Sequence, residues 1–473
     1  MSDQRTAALK YARQNKAQSL KLLETFLRIP SISTESANQP DMQRAADWVA
    51  AQLSGLGMQN VEIYPTARHP VVYAEWLGAH PRTAGARGAP TVLIYGHYDV
   101  QPADPLDLWQ TGPFEPTVRG ESLYARGASD MKGQVIAALK AVEAIVENGG
   151  LPVNLKWLIE GEEEIGSPSL EAFIAEHKKL LASDFALNPD SGMIGPDDPT
   201  ITYALRGLAY FELRVYGPAS DLHSGIYGGV VHNPANALAE LIAGMHDAKG
   251  RVTLPGFYDK VRPLSKEERA ELARLPTDEK HFLEQTGAPA LYGEFGYTPA
   301  ERTWARPTLD VNGLLSGFTG AGSKTVIPAW AMAKISMRLV PDQDPADAAK
   351  QFHAYLEAKA PKDIRWEVTE MHGGTPSISD RNNAGVRAMA AALESVWGKQ
   401  PYFKREGGSI PVVAQMQRIL GIESVVAGFG LPDDNVHAPN EKLHLPTWYR
   451  GIEALIHFFL NLKEVVSPRS AVE

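Results

Sequence analysis

The chain contains no cysteine. Disulfides and thiolate ligands are therefore excluded, and any metal must be held by histidine, aspartate or glutamate. No run of about 18 apolar residues occurs, so no segment reads as a membrane span. The stretch MSDQRTAALKYARQNKAQ carries charges but no apolar centre of signal-peptide length, and a cytoplasmic location is the expectation. Positive charge is in deficit: 46 Lys and Arg stand against 56 Asp and Glu, a formal net charge of −10. That balance argues against nucleic acid and anionic membranes as partners. No Gly-x-Gly-x-x-Gly follows an early strand, which leaves dinucleotide binding without support. Internal repeats and low-complexity linkers are also missing.

What is present is a globular composition, 44% hydrophobic and 22% charged. At 473 residues the chain exceeds one ordinary core, so two domains, or one with a large insertion, are expected. Apolar periodicity predicts helices over 4–28 and 41–56 and strands over 61–64, 71–76 and 91–95. Helices over 131–150 and 169–182 alternate with strands at 153–160 and at DFALNP, the pattern of an α/β fold with a largely parallel sheet. After about residue 206 the rhythm changes. A long strand, GLAYFELRVYG, precedes a helix with Asn233 as cap and Pro234 at its first position. A strand (AWAMAKISMRLV), a helix capped by Asp344 and a strand (IRWEVTEM) complete a small α+β unit. From about 376 the helix–strand–helix pattern resumes. The segment 251–310 has no clear period.

Five apolar runs stop abruptly and are followed at once by acids or imidazoles: LIYGHYDVQP (His97, Asp99), LYARGASDMKG (Asp130), WLIEGEEEIGS (Glu162, Glu163, Glu164), FALNPDSG (Asp190) and LPDDNVHAPNEKL (His437). Ligands of open α/β sheets bind beyond the carboxyl ends of the strands, so these groups are expected to converge. Taken singly, each has an ordinary explanation: a loop hydrogen bond for His97 and Asp99, a helix N-cap for Asp130, a solvated run for the glutamates. Taken together they differ. Adjacent carboxylates repel unless a cation is present, and two histidines with several carboxylates suit zinc, manganese or cobalt.

In this order the motifs resemble those of the dinuclear zinc peptidase family that includes aminoacylase, carboxypeptidase G, succinyl-diaminopimelate desuccinylase and carnosinase, and within it the cytosolic nonspecific dipeptidase branch. YGHYDVQP, RGASDMKG, EGEEEIGS, RGLAYFELRV, DLHSGIYGG, SKTVIP, SMRLVP, REGGSIPV and VHAPNEKL carry the likeness over nearly the whole chain. The resemblance implies an α/β catalytic domain, a mostly parallel sheet flanked by helices, over 1–206 plus 376–473. An inserted α+β lid and dimerisation domain would span 207–375. It implies two zinc ions per subunit. His97 and Asp190 would hold one, Glu164 and His437 the other, and Asp130 would bridge them. Glu163 would be the general base, Asp99 would hydrogen-bond the back of His97, and Gly96 would let the chain turn close to the metal. The family pattern Glu-Glu-x-Gly-Ser fits only Glu163 to Ser167, which leaves Glu162 spare. A cis peptide would follow Asp130. His223, Thr325, Arg338 and Ser409 would contact substrate, His223 from the partner subunit of a homodimer and Arg338 at a substrate carboxylate; His372 would line the cleft. The implied activity is hydrolysis of dipeptides with a free C-terminus. An N-acyl-amino-acid amidohydrolase on the same scaffold is the first alternative, and a non-catalytic metal-binding protein the second.

Overall fold

The computed structural model describes residues 2–79, 88–408 and 410–462. Contacts divide the chain into two units. The first holds the described residues up to Tyr203, Ser379–Phe403 and those from Gln415 onward; the second holds those of Ala204–Ile378 and Lys404–Ala414. The divisions fall after Tyr203 and after Ile378, and the segment Lys404–Ala414 belongs to the second unit.

The sheet of the first unit runs in the order Gln59–Tyr64, Val71–Trp76, Asn154–Glu160, Thr91–His97, Phe185–Asn188, Ser424–Val426 and Thr200–Leu205. Its four middle strands are mutually parallel, and the outer strands pair antiparallel. The middle strands are buried throughout apart from their first residues in two cases, as apolar runs covered on both faces must be. Because they are parallel, all four present their carboxyl ends at one edge.

Helix Lys132–Val146 is apolar nearly all round and packs against Thr91–His97 and helix Leu445–Asn461. Its first residue, Lys132, is fully buried, and its Nζ donates to the carbonyls of Ile29 at 2.7 Å and Phe26 at 3.3 Å. Gly96 lies beneath this helix. A Cβ there would come within 2.9 Å of Val135 and 3.1 Å of Ile159. The expectation that Gly96 serves a turn is therefore corrected: it makes room for a helix over the strand.

The second unit carries a four-stranded antiparallel sheet in the order Thr308–Ser316, Trp330–Leu339, Gly207–Tyr216, Arg365–Gly374. Alternate residues Ala209, Phe211, Leu213 and Val215 face a core completed by Leu238 and Leu241 of helix Pro234–Gly244 and Phe352 of helix Pro345–Lys359. Asn233 and Asp344 cap these helices by accepting the Ala235 and Ala346 N–H groups.

Three segments differ from the periodicity reading. The expected helix 4–28 is two helices, Ser2–Gln14 and Lys16–Leu27, interrupted at Asn15, whose side chain donates to the Tyr11 carbonyl. The expected helix 169–182 is Leu170–Glu176 followed by Lys178–Leu181. Segment 251–310 contains Lys266–Ala273, Glu279–Thr286 and Pro299–Ala305, each capped by a side chain and only eight, eight and seven residues long. Two turns are too few to establish a period.

Candidate metal centre

Each of the four parallel strands delivers its groups at the same edge. His97 is the last residue of Thr91–His97, and Glu163 and Glu164 follow Asn154–Glu160. Asp190 follows Phe185–Asn188, and the segment after Ser424–Val426 leads to His437. Asp130 enters from the loop before helix Lys132–Val146. That helix begins after Met131, which makes no side-chain cap, and Asp130 is not its N-cap.

These side chains form two groups that share Asp130. In His97–Asp130–Asp190 and in Asp130–Glu164–His437 the ligand atoms all lie within 4.8 Å of one another. His97 Nε2 is 3.2 Å from Asp130 Oδ1, and His437 Nε2 is 2.9 Å from Asp130 Oδ2 and 3.2 Å from Glu164 Oε2. The peptide bond after Asp130 is cis. His437 has φ 62°, flanked by Asn435 at 53° and Asn440 at 61°. Non-glycine residues in the left-handed region persist where the surroundings enforce them.

Neighbouring groups aim the ligands. His97 Nδ1 donates to the Asp99 carbonyl at 3.0 Å with the Asp99 carboxylate 3.3 Å away, and the other Asp99 oxygen accepts the Glu164 N–H at 3.1 Å. Gln101 Nε2 donates to Glu164 Oε2 at 2.8 Å. Glu162, spare by its place in the motif, is buried and accepts from the Thr66 hydroxyl and the His69 and Ser169 N–H groups. It anchors the turn that presents Glu163 and Glu164. Gln101 and Glu162 both lie inside legible motifs, yet all their partners but Ser169 are more than 60 positions away.

The electrostatics are those of a cation site. Burial, with the charges of Asp190, Glu164 and Asp130, pushes the Glu163 carboxyl well above the usual range against the opposing pull of His97. Burial and Asp130 push Asp190 up to about 7. Burial opposes ionisation of Asp130, but its hydrogen bonds with His437 and His97 hold it well below the usual range. Hydrogen bonds to Asp130 and Glu164 push His437 up to about 10. Burial disfavours charge on His97, but Asp130 and Asp99 raise it well above its ordinary value. The Glu163 and Asp190 carboxyls and both imidazoles are pushed toward holding protons, the mark of crowded negative charge. Metal ions would relieve that crowding with the imidazoles neutral, and three carboxylates, two imidazoles and no thiolate are a donor set fitted to first-row divalent ions.

The remaining expected residues that the structure describes lie in the second unit. His223 is exposed, and its Nδ1 accepts the Gly225 N–H. It pairs with Val326 across a two-stranded ladder, and the exposed Thr325 accepts the Ser224 N–H through its carbonyl. Arg338 is half-buried on the four-stranded sheet, opposite Leu208 and Thr308. His372 stacks on Tyr210 with ring centroids 5.0 Å apart. Ser409 lies outside the described residues.

Comparison with known proteins places this geometry in context. The chain is 32% identical over 453 residues, 92% of its length and 93% of the relative's, to "Cys-Gly metallodipeptidase DUG1" of Candida albicans. It is 34% identical over 402 residues to the human "Beta-Ala-His dipeptidase", covering 84% of this chain and 78% of that one. A crystal structure of the M20 family metallo-carboxypeptidase Sso-CP2 from Sulfolobus solfataricus superposes with a TM-score of 0.82 at 34% identity, covering 94% of this chain and 99% of the other. The model of peptidase family M20/M25/M40 matches residues 93–461, a stretch that contains both candidate ligand groups and Glu163. The chain therefore belongs to the peptidase family M20/M25/M40.

Proposed function

We infer that the protein is a metal-dependent dipeptidase that hydrolyses the peptide bond of dipeptides with a free C-terminal carboxylate. The observation that carries the reading is the pair of ligand groups joined through Asp130, with Glu163 beside them and outside both. His97 and Asp190 would hold one ion, Glu164 and His437 the other, and Asp130 both. Zinc is the proposed metal, and manganese and cobalt suit the same donors. Bound ions would acidify a water and polarise the scissile carbonyl.

The chain's own residues account for the rest. Glu163, beside both ligand groups and a member of neither, takes the proton of the attacking water and returns it to the leaving amine. Asp99 fixes the ring and tautomer of His97. In the second unit, proposed as the lid and dimerisation domain, Arg338 would read the substrate carboxylate with a bidentate guanidinium. His223, Thr325 and Ser409 would supply further polar contacts. The exposed His223, with exposed Ile226 and Val230 nearby, supports a homodimer in which this segment serves the neighbouring subunit. A cytoplasmic setting belongs to the same proposal; among the described residues no helix is long and apolar enough to cross a membrane.

The relatives named as dipeptidases favour this reading over amidohydrolysis of N-acyl amino acids. The test is a chelated, metal-free sample assayed with dipeptides, their C-terminal amides and N-acyl amino acids before and after zinc, manganese or cobalt is returned. Metal-restored hydrolysis confined to free-carboxyl dipeptides is expected. Full activity in a sample shown by elemental analysis to be metal-free, or faster turnover of N-acyl amino acids, would overturn it.

A further inference from the structure

Asp130 and His437 are about 300 positions apart, yet their loops are joined at several points. Strand Lys442–His444 pairs antiparallel with Ser122–Tyr124, and the Ala125 N–H continues the contact to the Glu441 carbonyl at 3.1 Å. The Glu441 side chain, fully buried, then turns back into the Asp130 loop. One oxygen accepts Arg126 Nη1 at 2.7 Å and the Gly127 N–H at 2.9 Å; the other accepts the Ser129 N–H at 3.0 Å and the Asp130 N–H at 3.1 Å. Further along, Asp434 accepts the Ser129 hydroxyl and the Leu431 N–H, each at 2.7 Å, and the Lys442 N–H closes the His437 loop on the Asp434 carbonyl at 2.9 Å. At the far end His437 meets Asp130 itself.

We propose that Glu441 is a positioning residue that fixes the Asp130 loop against the His437 loop and so sets how tightly the Asp130–Glu164–His437 group holds its metal ion. The inference rests on the reading of Asp130 and His437 as ligands. Three of the four donors to Glu441 are main-chain N–H groups of the ligand loop, the last belonging to Asp130 itself. A carboxylate there does more than pair with Arg126: it dictates the path of the backbone from Gly127 to Asp130. The left-handed conformation of His437 fits such an external hold, while Asn435 and Asn440 adopt theirs readily. Two of the three ligands of this group sit on the joined loops, against one of three in His97–Asp130–Asp190, so the effect falls mainly on the former.

Glutamine is the discriminating replacement. It keeps the shape, but in either orientation its NH2 faces two donors, Arg126 and Gly127 or Ser129 and Asp130. No flip satisfies all four. Partners that aim metal ligands typically contribute about 10- to 100-fold in metal affinity.

The experiment measures zinc dissociation constants by chelator competition, with elemental analysis of stoichiometry, on full-length wild type, Glu441→Gln, Glu441→Asp and the core control Ile456→Val. Folding is checked by circular dichroism and thermal melting. The proposal expects folded Glu441→Gln to bind its weaker zinc ion at least about tenfold less tightly. Ile456→Val should lower the melting temperature and leave both constants alone. If Glu441→Gln does not fold, Glu441→Asp, which keeps the charge and shortens the reach, is read by the same criterion. Wild-type zinc affinity in the folded Glu441 variant, or an equal loss in Ile456→Val, would overturn the proposal. Wild-type protein that binds no zinc would instead remove the metal-centre reading on which it rests.

Discussion

The carboxylate of Asp99 couples His97 to Glu164: one oxygen lies 3.3 Å from His97 Nδ1 and the other accepts the Glu164 N–H at 3.1 Å. His97 and Glu164 belong to different candidate ligand groups, so a side chain that is a member of neither braces both. Asp99→Asn removes the charge behind the imidazole. Zinc affinity should fall about 10- to 100-fold. Chelator competition measures it, and a wild-type constant would remove Asp99 from the bracing role.

Glu163 and Glu164 are adjacent but should behave differently. Glu163→Gln is expected to keep two bound ions and lose about 100- to 10,000-fold in kcat, because an amide cannot relay the proton. Glu164→Gln should lose metal as well. Elemental analysis separates the two. Loss of an ion in Glu163→Gln alone would shift the assignment within GEEEIGS by one position.

Arg338→Ala should lower kcat/KM for dipeptides about 10- to 150-fold, the equivalent of a charge-assisted contact of about 1.5–3 kcal/mol. C-terminal amides of the same dipeptides offer no carboxylate to lose. Steady-state kinetics on matched pairs tests this, and equal losses on both would exclude Arg338 as the carboxylate reader.

Glu160 supplies a pH dependence that is separate from catalysis. Burial first, then the nearby Asp99 charge, push its carboxyl up to about 8, although the Tyr95 and Ser167 hydroxyls donate to it. The folded state thus keeps a proton that the unfolded chain releases near its ordinary carboxyl range. The stability Glu160 contributes is complete below that range and is lost as the pH rises to about 8. In metal-free protein, Glu160→Gln should therefore gain stability relative to wild type as the pH is raised from 5 to 8, by at most about 1.4 kcal/mol per pH unit. Denaturant titrations at both pH values measure the difference; parallel curves would contradict it.

The parts of the site that were legible in the sequence share one property: they follow apolar runs. His97, Glu163, Glu164 and Asp190 stand where buried strands end, and parallel strands must end together. Chemistry and topology therefore gave the same answer. Gln101, Glu162 and Glu441 were not legible as supports because each acts mainly on residues at least 60 positions away, mostly on backbone groups that carry no sequence signature. Gly96 shows the opposite failure. Its neighbourhood to His97 suggested a turn, while its constraint comes from Val135 in a helix that periodicity places but does not dock. The break at Asn15 lacks the proline or glycine that usually marks one, and the short helices after residue 250 are held by their caps more than by an apolar stripe.

The order of the sheet bears on how the molecule is made. Strand Ser424–Val426 inserts between Phe185–Asn188 and Thr200–Leu205, so the sheet stays open until a segment more than 200 positions downstream arrives. During synthesis His97, Asp130, Glu164 and Asp190 emerge long before His437 and the Glu441 that holds its loop. A partly translated chain therefore lacks part of the Asp130–Glu164–His437 group, and non-local closure of this kind is slow. The group is therefore completed only when the segment that carries His437 and Glu441 has joined the fold, and a chain that stops short of it holds at most the His97–Asp130–Asp190 group.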